Sequence, residues 1–258
     1  MKPKSLVFFD LDGTLLNEQS QLDQDVIDAL AKLKDNGGIP FIATGRSHLQ
    51  VEHVLEETAI DSFISLNGHY IQFECQEIYE GIFDQDLLDR IQTEVEAQDI
   101  TVAYYSKEGF KLTRKDENAV EAYRFIHTDA PEVDESYYEE KDILMVLLFT
   151  QNTSVDDVFL EKFPELSLYR NSPYSIDTIL KENSKAMGIQ KIVEKMGFEG
   201  VPTYAFGDGP NDIEMLKAAD FSVAMENGTK EVKALADYVA KSNTNGGIVD
   251  GLKHFNLI

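Results

Sequence analysis

Apolar and polar positions alternate in blocks along this chain, and the blocks predict its elements. Ser5–Phe9 is an unbroken apolar run of strand length, the pattern of a strand covered on both faces. Leu22, Val26, Leu30 and Leu33 then recur at helical spacing, and Asn36-Gly37-Gly38 stops that helix. A second apolar run covers Ile39–Ala43, a helix is expected over Gly45–Glu57, and a third strand over Phe63–Leu66 before an Asn67-Gly68 turn. Strand, helix, strand, helix, strand is the order of a doubly wound parallel sheet.

The rhythm changes near residue 83. Strands are expected at Thr101–Tyr105, Ile143–Phe149 and Leu166–Arg170, with helices at Asp86–Ala97, Asn118–His127 and Val155–Phe163. The acidic stretch Glu132–Asp142 reads as a solvated loop. After residue 183 the βα rhythm returns. Ile189, Ile192, Val193 and Met196 mark one helix face, Tyr204–Gly207 and Phe221–Met225 read as strands, and Ile213–Ala219 and Glu231–Asp237 as helices. The expected architecture is α/β: a doubly wound, Rossmann-like parallel-sheet core over 1–83 and 183–258, interrupted by an inserted α+β domain over 84–182.

Composition narrows the function classes. The 258 residues include 23 Lys plus Arg against 47 Asp plus Glu, a net charge of −24. So anionic a surface repels nucleic acid and acidic lipid, and neither is expected as a partner. It also repels phosphorylated metabolites, so a phosphate site here needs a metal or placed cations. The single Cys75 cannot form an internal disulfide, no apolar run is long enough to span a membrane, and the five-residue run near the start is too short for a signal peptide. A cytoplasmic setting is expected.

Polar clusters follow three of the expected strands, where ligands bind in open α/β sheets. They are Asp10-Leu11-Asp12-Gly13-Thr14, Thr44-Gly45-Arg46 and Gly207-Asp208-Gly209-Pro210-Asn211-Asp212. Converging on one rim, Asp10, Asp12, Asp208 and Asp212 would repel one another, and a hard cation bound by oxygens relieves that repulsion; few carboxylates plus waters suit Mg2+. Glycines let backbone N–H groups approach an anion, Thr44 offers a hydroxyl, and Arg46 offers a fork for phosphate oxygens. Each cluster alone reads equally as a turn, and the first also as a calcium-type loop. Together they point to metal-assisted phosphoryl transfer.

These residues resemble the haloacid dehalogenase (HAD) superfamily of phosphatases. Asp10-x-Asp12-Gly-Thr-Leu-Leu, Thr44-Gly45-Arg46, Lys185 and Gly207-Asp208-x-x-Asn211-Asp212 look like its four motifs, and Met225-Glu-Asn-Gly228 and Thr244-Asn-Gly-Gly247 look like its Cof-type subfamily, with a type IIB cap between the second and third motifs. The resemblance implies Asp10 as nucleophile and Asp12 as general acid and base. It implies Mg2+ held by Asp10, the Asp12 carbonyl and Asp208. It implies phosphate contacts from Thr44, Gly45, Arg46, Lys185 and Asn211, with Thr14 and Asp212 in support. Ala186 stands where relatives often carry Gly, and Lys181 and Lys191 are alternatives to Lys185; Arg46 could equally support structure.

A small phosphorylated metabolite, such as a sugar phosphate, is the implied substrate. His69, Tyr70, Arg170, Asn171 and Tyr174 are candidate specificity contacts, although exposed turn or surface positions describe His69, Tyr70 and Arg170 as well. The inserted domain holds 23 acidic and 10 basic residues over 84–182, which disfavours polyphosphorylated substrates. A phosphomutase using the same aspartyl-phosphate is an alternative, separable by isomerised product without free phosphate. A non-catalytic phosphate- or metal-sensing domain is a further one. Oligomeric state has no signature in the sequence.

Overall fold

The computed structural model describes residues 2–58, 60–170 and 172–258. Two compact units emerge, one formed by Met1–Tyr79 with Ser184–Ile258 and the other by Glu80–Asn183.

The first unit is built on β1 (Ser5–Phe9), α1 (Gln24–Asp35), β2 (Gly38–Ala43), α2 (Glu52–Thr58), β3 (Phe63–Ser65), β4 (Tyr70–Phe73) and β5 (Gln76–Glu80). The chain leaves for the second unit through α3 (Gln85–Ala97), β6 (Thr101–Tyr105), β7 (Phe110–Leu112), α4 (Glu117–Phe125), α5 (Tyr137–Glu140), β8 (Met145–Phe149), α6 (Ser154–Lys162), β9 (Leu166–Tyr169) and β10 (Ser175–Leu180). It returns through α7 (Lys185–Met196), β11 (Thr203–Gly207), α8 (Ile213–Ala218), β12 (Phe221–Met225), α9 (Lys230–Leu235), β13 (Tyr238–Ala240) and α10 (Gly247–His254).

In the first unit the sheet order is β13-β12-β11-β1-β2-β3-β4-β5. The strands from β13 to β3 pair in parallel and β4 turns back antiparallel on β3. β1, at the centre, is buried along its whole length, which is why its sequence shows no polar alternation. Leu6, Phe8, Phe41, Ala43, Ile64 and Ala205 of the sheet pack with Ile189 and Ile192 of α7 and Met215 and Leu216 of α8 in one core. Phe8 stacks on Phe41 with ring centroids 4.7 Å apart.

The second unit is an antiparallel sheet of order β7-β6-β8-β10-β9. Its core gathers Leu88 and Ile91 of α3, Val102 and Tyr104 of β6, Val146 and Leu148 of β8, Phe159 of α6 and Ile176 of β10. The acidic stretch expected as a loop carries α5, anchored by the buried Tyr137, whose hydroxyl lies 2.7 Å from Ser106 Oγ. Among the described residues no helix is long and apolar enough to cross a membrane.

One boundary departs clearly from expectation. The helix expected from Gly45 begins only at Glu52; a capped 3-10 turn over His48–Gln50 precedes it. Ser47 Oγ accepts from Leu49 N–H at 3.3 Å and Gln50 Oε1 accepts from Ser47 N–H at 3.0 Å. Residues 44–47 stay free of the helix and can turn towards the strand ends.

Candidate active site

The parallel register brings the three polar loops together. Phe9 of β1 pairs with Ile42 of β2 on one side and Phe206 of β11 on the other. Asp10, Thr44 and Asp208 follow within two residues of these pairs, so they leave the sheet at one rim.

Asp10 is 6% exposed, with its N–H donating to the Phe206 carbonyl at 3.0 Å. Its Oδ1 accepts from Lys185 Nζ at 2.5 Å, and the same ammonium donates to Asp212 Oδ1 at 2.7 Å. Lys185 opens α7, where Ser184 is the N-cap and its Oγ accepts from Met187 N–H. A cation in a first helical turn opposes the helix dipole, and the two carboxylates outweigh that. Burial pushes the Lys185 ammonium down, but Asp10 and Asp212 hold it above its usual range. Neither Lys181 nor Lys191 occupies this position.

Asp212 spends both oxygens. Oδ1 takes Lys185, and Oδ2 accepts from the N–H groups of Asp208 and Gly209, each at 2.9 Å. Asp208 Oδ1 accepts from Thr14 Oγ1 at 3.0 Å. Gly13, at φ +78, lies where a Cβ would strike the Asp208 carboxylate, so only glycine lets the first loop pass there. Carboxylate oxygens of Asp10, Asp208 and Asp212 lie within 4.8 Å of one another. Three carboxylates against one ammonium leave an excess of negative charge in a buried place. Burial, then the Asp212 charge, raise Asp10 well above the usual carboxylate range despite Lys185, and the same two causes push Asp208 up to about 7. An all-oxygen donor set with surplus negative charge fits a hard divalent cation. Asp10, Asp208 and Asp212 are the carboxylates that could hold one, and Asp212 already accepts three hydrogen bonds.

Asp12 stands apart from the buried carboxylates. Its side chain is 47% exposed and sits in the fork of the buried Arg46. Arg46 Nε donates to Asp12 Oδ2 at 2.8 Å and Nη2 to Oδ1. Arg46, expected on phosphate oxygens, is thus a partner of Asp12. A fork matches a carboxylate as well as a phosphate, so its sequence context could not separate the two. Thr44 is buried, its Oγ1 accepting from Arg46 N–H at 3.0 Å, and half-buried Gly45 lies between them.

Asn211 donates to Asn67 Oδ1 at 3.1 Å. Asn67 is a site neighbour that the Asn-Gly turn signal concealed. Its N–H donates to the Thr44 carbonyl at 3.0 Å, which ties the third strand's turn to the second loop. Asn67 (φ 50) and Gly68 (φ +98) are both left-handed, and a Cβ on Gly68 would strike the Ser184 backbone. This turn therefore seats the start of α7 and with it Lys185.

The proposed specificity contacts fare differently. His69 is fully buried, Nδ1 lying 3.0 Å from the Leu66 carbonyl, and Tyr70 is buried in β4 with its ring 4.9 Å from His48 and 5.8 Å from Phe63. Both are core residues, not exposed turn positions. The Asn67-Gly68 turn leads at once into β4, and that return of the chain accompanies their burial. Arg170 forks Asp156, with Nη2 2.6 Å from Oδ1, and donates to the Thr150 carbonyl at 2.7 Å, so it braces the second unit. Tyr174 lies edge-on to the exposed Phe125. Asn171 lies outside the described residues.

Two polar residues at the same rim were also missed. Asn227 donates to the Gly13 carbonyl and Asn243 to the Leu16 carbonyl, each at 2.7 Å. The Met225-Glu-Asn-Gly228 and Thr244-Asn-Gly-Gly247 segments marked the neighbourhood but not the contacts.

Comparison with known proteins matches this arrangement to one family. Residues 7–252 fit the family model of haloacid dehalogenase-like hydrolases. YkrA of Bacillus subtilis, whose phosphatase name is itself an inference, is 35% identical over 254 residues, 98% of each chain. The 5-amino-6-(5-phospho-D-ribitylamino)uracil phosphatase YcsE of Bacillus subtilis is 28% identical over 255 residues, covering 98% of this chain and 96% of its own. Among solved structures, the HAD subclass IIB sugar phosphatase BT4131 superposes with a TM-score of 0.89 at 28% identity, over 98% of this chain and 100% of that one.

Proposed function

The chain belongs to the haloacid dehalogenase-like hydrolase family, a phosphatase fold with phosphatase relatives, and from that we propose a metal-dependent phosphomonoesterase that works through an aspartyl-phosphate on Asp10. The observation that carries the reading is the pairing of two unlike carboxylates two residues apart. Asp10 is buried and held by Lys185, whereas Asp12 is half-exposed and held by Arg46.

Asp10 attacks phosphorus in line as the bond to the leaving oxygen breaks. Asp12, in its acid form, gives that oxygen a proton. As a carboxylate it then takes a proton from the water that attacks phosphorus, which frees phosphate and restores Asp10. Lys185, Thr44 and Asn211 contact the phosphoryl oxygens, with the Gly45 backbone between them. Asp212 and Thr14 position Lys185 and Asp208. A divalent cation, with Mg2+ as the ion the donors suit, would be held by Asp10, Asp208 and the Asp12 carbonyl, and when bound supplies the charge neutralisation that lets an anionic nucleophile meet an anionic phosphate.

The substrate class we favour is a small sugar phosphate or related phosphomonoester, supported by the sugar phosphatase and phosphoribitylamino-uracil phosphatase names of the relatives. The inserted unit is our choice for the specificity cap, its acidic balance disfavouring polyphosphorylated compounds. The exposed, lone Cys75 suits a reducing compartment such as the cytoplasm.

The test is inorganic phosphate release from a panel of phosphomonoesters, with Mg2+, with chelator, and with Asp10→Asn. Release that needs the metal and vanishes in the folded variant is the expected result. Release that persists in Asp10→Asn overturns the nucleophile assignment.

A further inference from the structure

The loop from Asp10 to Leu16 carries both proposed catalytic carboxylates, the first held by Lys185 and the second by Arg46, and the backbone that presents the second has restraints of its own. Asp10 is fixed by β1, by the Phe206 carbonyl and by Lys185. Asp12 is two residues further out, half-exposed, and followed by a left-handed Gly13. The loop folds on itself: Thr14 and Leu16 N–H groups donate to the Leu11 carbonyl, Leu15 N–H to the Asp10 carbonyl, and Asp12 forms an isolated bridge with Leu16. Its outer carbonyls, those of Gly13 and Leu16, flank Asp12 in sequence and across that bridge.

Both carbonyls are taken by asparagines that the sequence places more than 200 residues away. Asn227, in the turn after β12, donates Nδ2 to Gly13 at 2.7 Å. Asn243, after β13, donates Nδ2 to Leu16 at 2.7 Å. The two are joined, because Asn227 Oδ1 accepts from Asn243 N–H at 3.0 Å. One amide therefore spends its donor on the catalytic loop and its acceptor on the second asparagine.

The turn that bears Asn227 is fixed in its own right. Gly228 N–H donates to Met225, and Thr229 N–H donates to the Asp208 carbonyl at 3.0 Å. A Cβ on Gly228 would sit 3.1 Å from the Asp208 backbone. On the other side, a Cβ on Gly247 would strike the Lys241 carbonyl and the Met225 side chain, so the Asn243 segment lies close against the end of β12.

We propose that Asn227 and Asn243 are positioning residues that act through Asp12: the linked amides hold the Gly13 and Leu16 carbonyls and so fix where the general acid points. This rests on the phosphatase reading above and deepens it. Both Nδ2 groups are spent on backbone carbonyls, and neither asparagine is assigned a contact with substrate. Asn227 is exposed and its contacts are neutral hydrogen bonds at the surface, so its loss should leave the fold intact while loosening one loop. A misplaced proton donor costs rate where the leaving group needs the proton and little where it does not.

The experiment compares the unmodified chain with Asn227→Ala, Asn243→Ala and Asn227→Asp, the last keeping the acceptor for Asn243 and losing the donor to Gly13. kcat/KM is measured for an alkyl phosphate and for an aryl phosphate with an acidic phenol, because this ratio reports the step in which the leaving group departs. Amide hydrogen exchange of residues 13–16 is followed in the same proteins. All three variants should lose about tenfold or more on the alkyl substrate, little on the aryl one, and exchange faster in that loop. An equal loss on both substrates, or none on either, overturns the proposal. Failure of the underlying reading has its own signature, an unmodified, folded chain that releases phosphate from neither substrate. In that case unchanged exchange overturns the positioning of the loop, and faster exchange leaves a structural tie and overturns its catalytic role.

Discussion

Arg46 and Asp12 form a pair whose value is testable as a coupling. Arg46→Met should lower kcat by roughly ten- to a hundredfold, as expected when an acid–base group loses its orientation. In an Asp12→Asn background the same change should cost almost nothing more, since residues that act as a unit are not additive. A contact to phosphate instead predicts equal losses in both backgrounds. His69 offers a second test at this scale. Burial holds its pKa at about 3, against 6.5 for a free imidazole. Between those values the unfolded chain binds a proton that the native chain refuses. The stability due to neutral His69 is therefore complete above pH 6.5 and is lost as pH falls towards 3, by up to about 1.4 kcal/mol per pH unit. Urea unfolding at pH 7 and pH 5 should show that loss, and His69→Gln should remove its share of the slope. The motif residues were legible because a chemistry needs them in fixed places. His69 and Tyr70 were not, because their burial depends on the return of the chain into β4, a strand of only four residues, and, for Tyr70, on ring contacts with His48 and Phe63.

At the scale of elements, the Asn67-Gly68 turn and the start of α7 act as one device. Gly68→Ala adds a Cβ at φ +98 against the Ser184 backbone, which cannot give way as a side chain would. It should displace Lys185, reducing both stability and kcat, whereas Ser184→Ala loses only the cap and costs about 1 kcal/mol. Thermal melts and kcat of the two variants separate these effects. Several strands and helices follow from apolar periodicity: β1, β2, β12, α1 and α3 all begin and end within about two residues of the expected places, and α7 ends at the expected Met196. Several of the elements that escaped are short. β7 and β13 have three residues each, too few for a period to show. β10 mixes Ser175, Asp177 and Thr178 with apolar residues and is identified by its pairing with β8 and β9. The helix expected from Gly45 failed because Ser47 caps a separate 3-10 turn, a local hydrogen-bond choice that hydrophobic spacing does not record.

In a molecule of net charge −24, burial and the clustered carboxylates make the acidic rim a place where metal, proton and fold compete. In the metal-free chain Asp208 is raised to about 7, above the unfolded value near 3.8. Its contribution to stability is therefore present below pH 3.8 and is lost as pH rises through about 7. A cation that replaces the proton reverses that loss. Stabilisation by millimolar Mg2+ should grow between pH 5.5 and pH 8, and should be largely absent in Asp208→Asn; a thermal shift independent of pH would contradict this assignment. The central claim, that phosphorus passes through Asp10 and leaves with the help of Asp12, is tested most directly by trapping. Asp12→Asn should still accept a phosphoryl group from an aryl phosphate, whose leaving phenolate needs no proton, but should hydrolyse it slowly. Acid quench, digestion and mass spectrometry should then find the phosphoryl group on the peptide carrying Asp10. A peptide free of phosphate, from a protein whose unmodified form turns the same substrate over, or a phosphoryl group on another residue, would contradict the account.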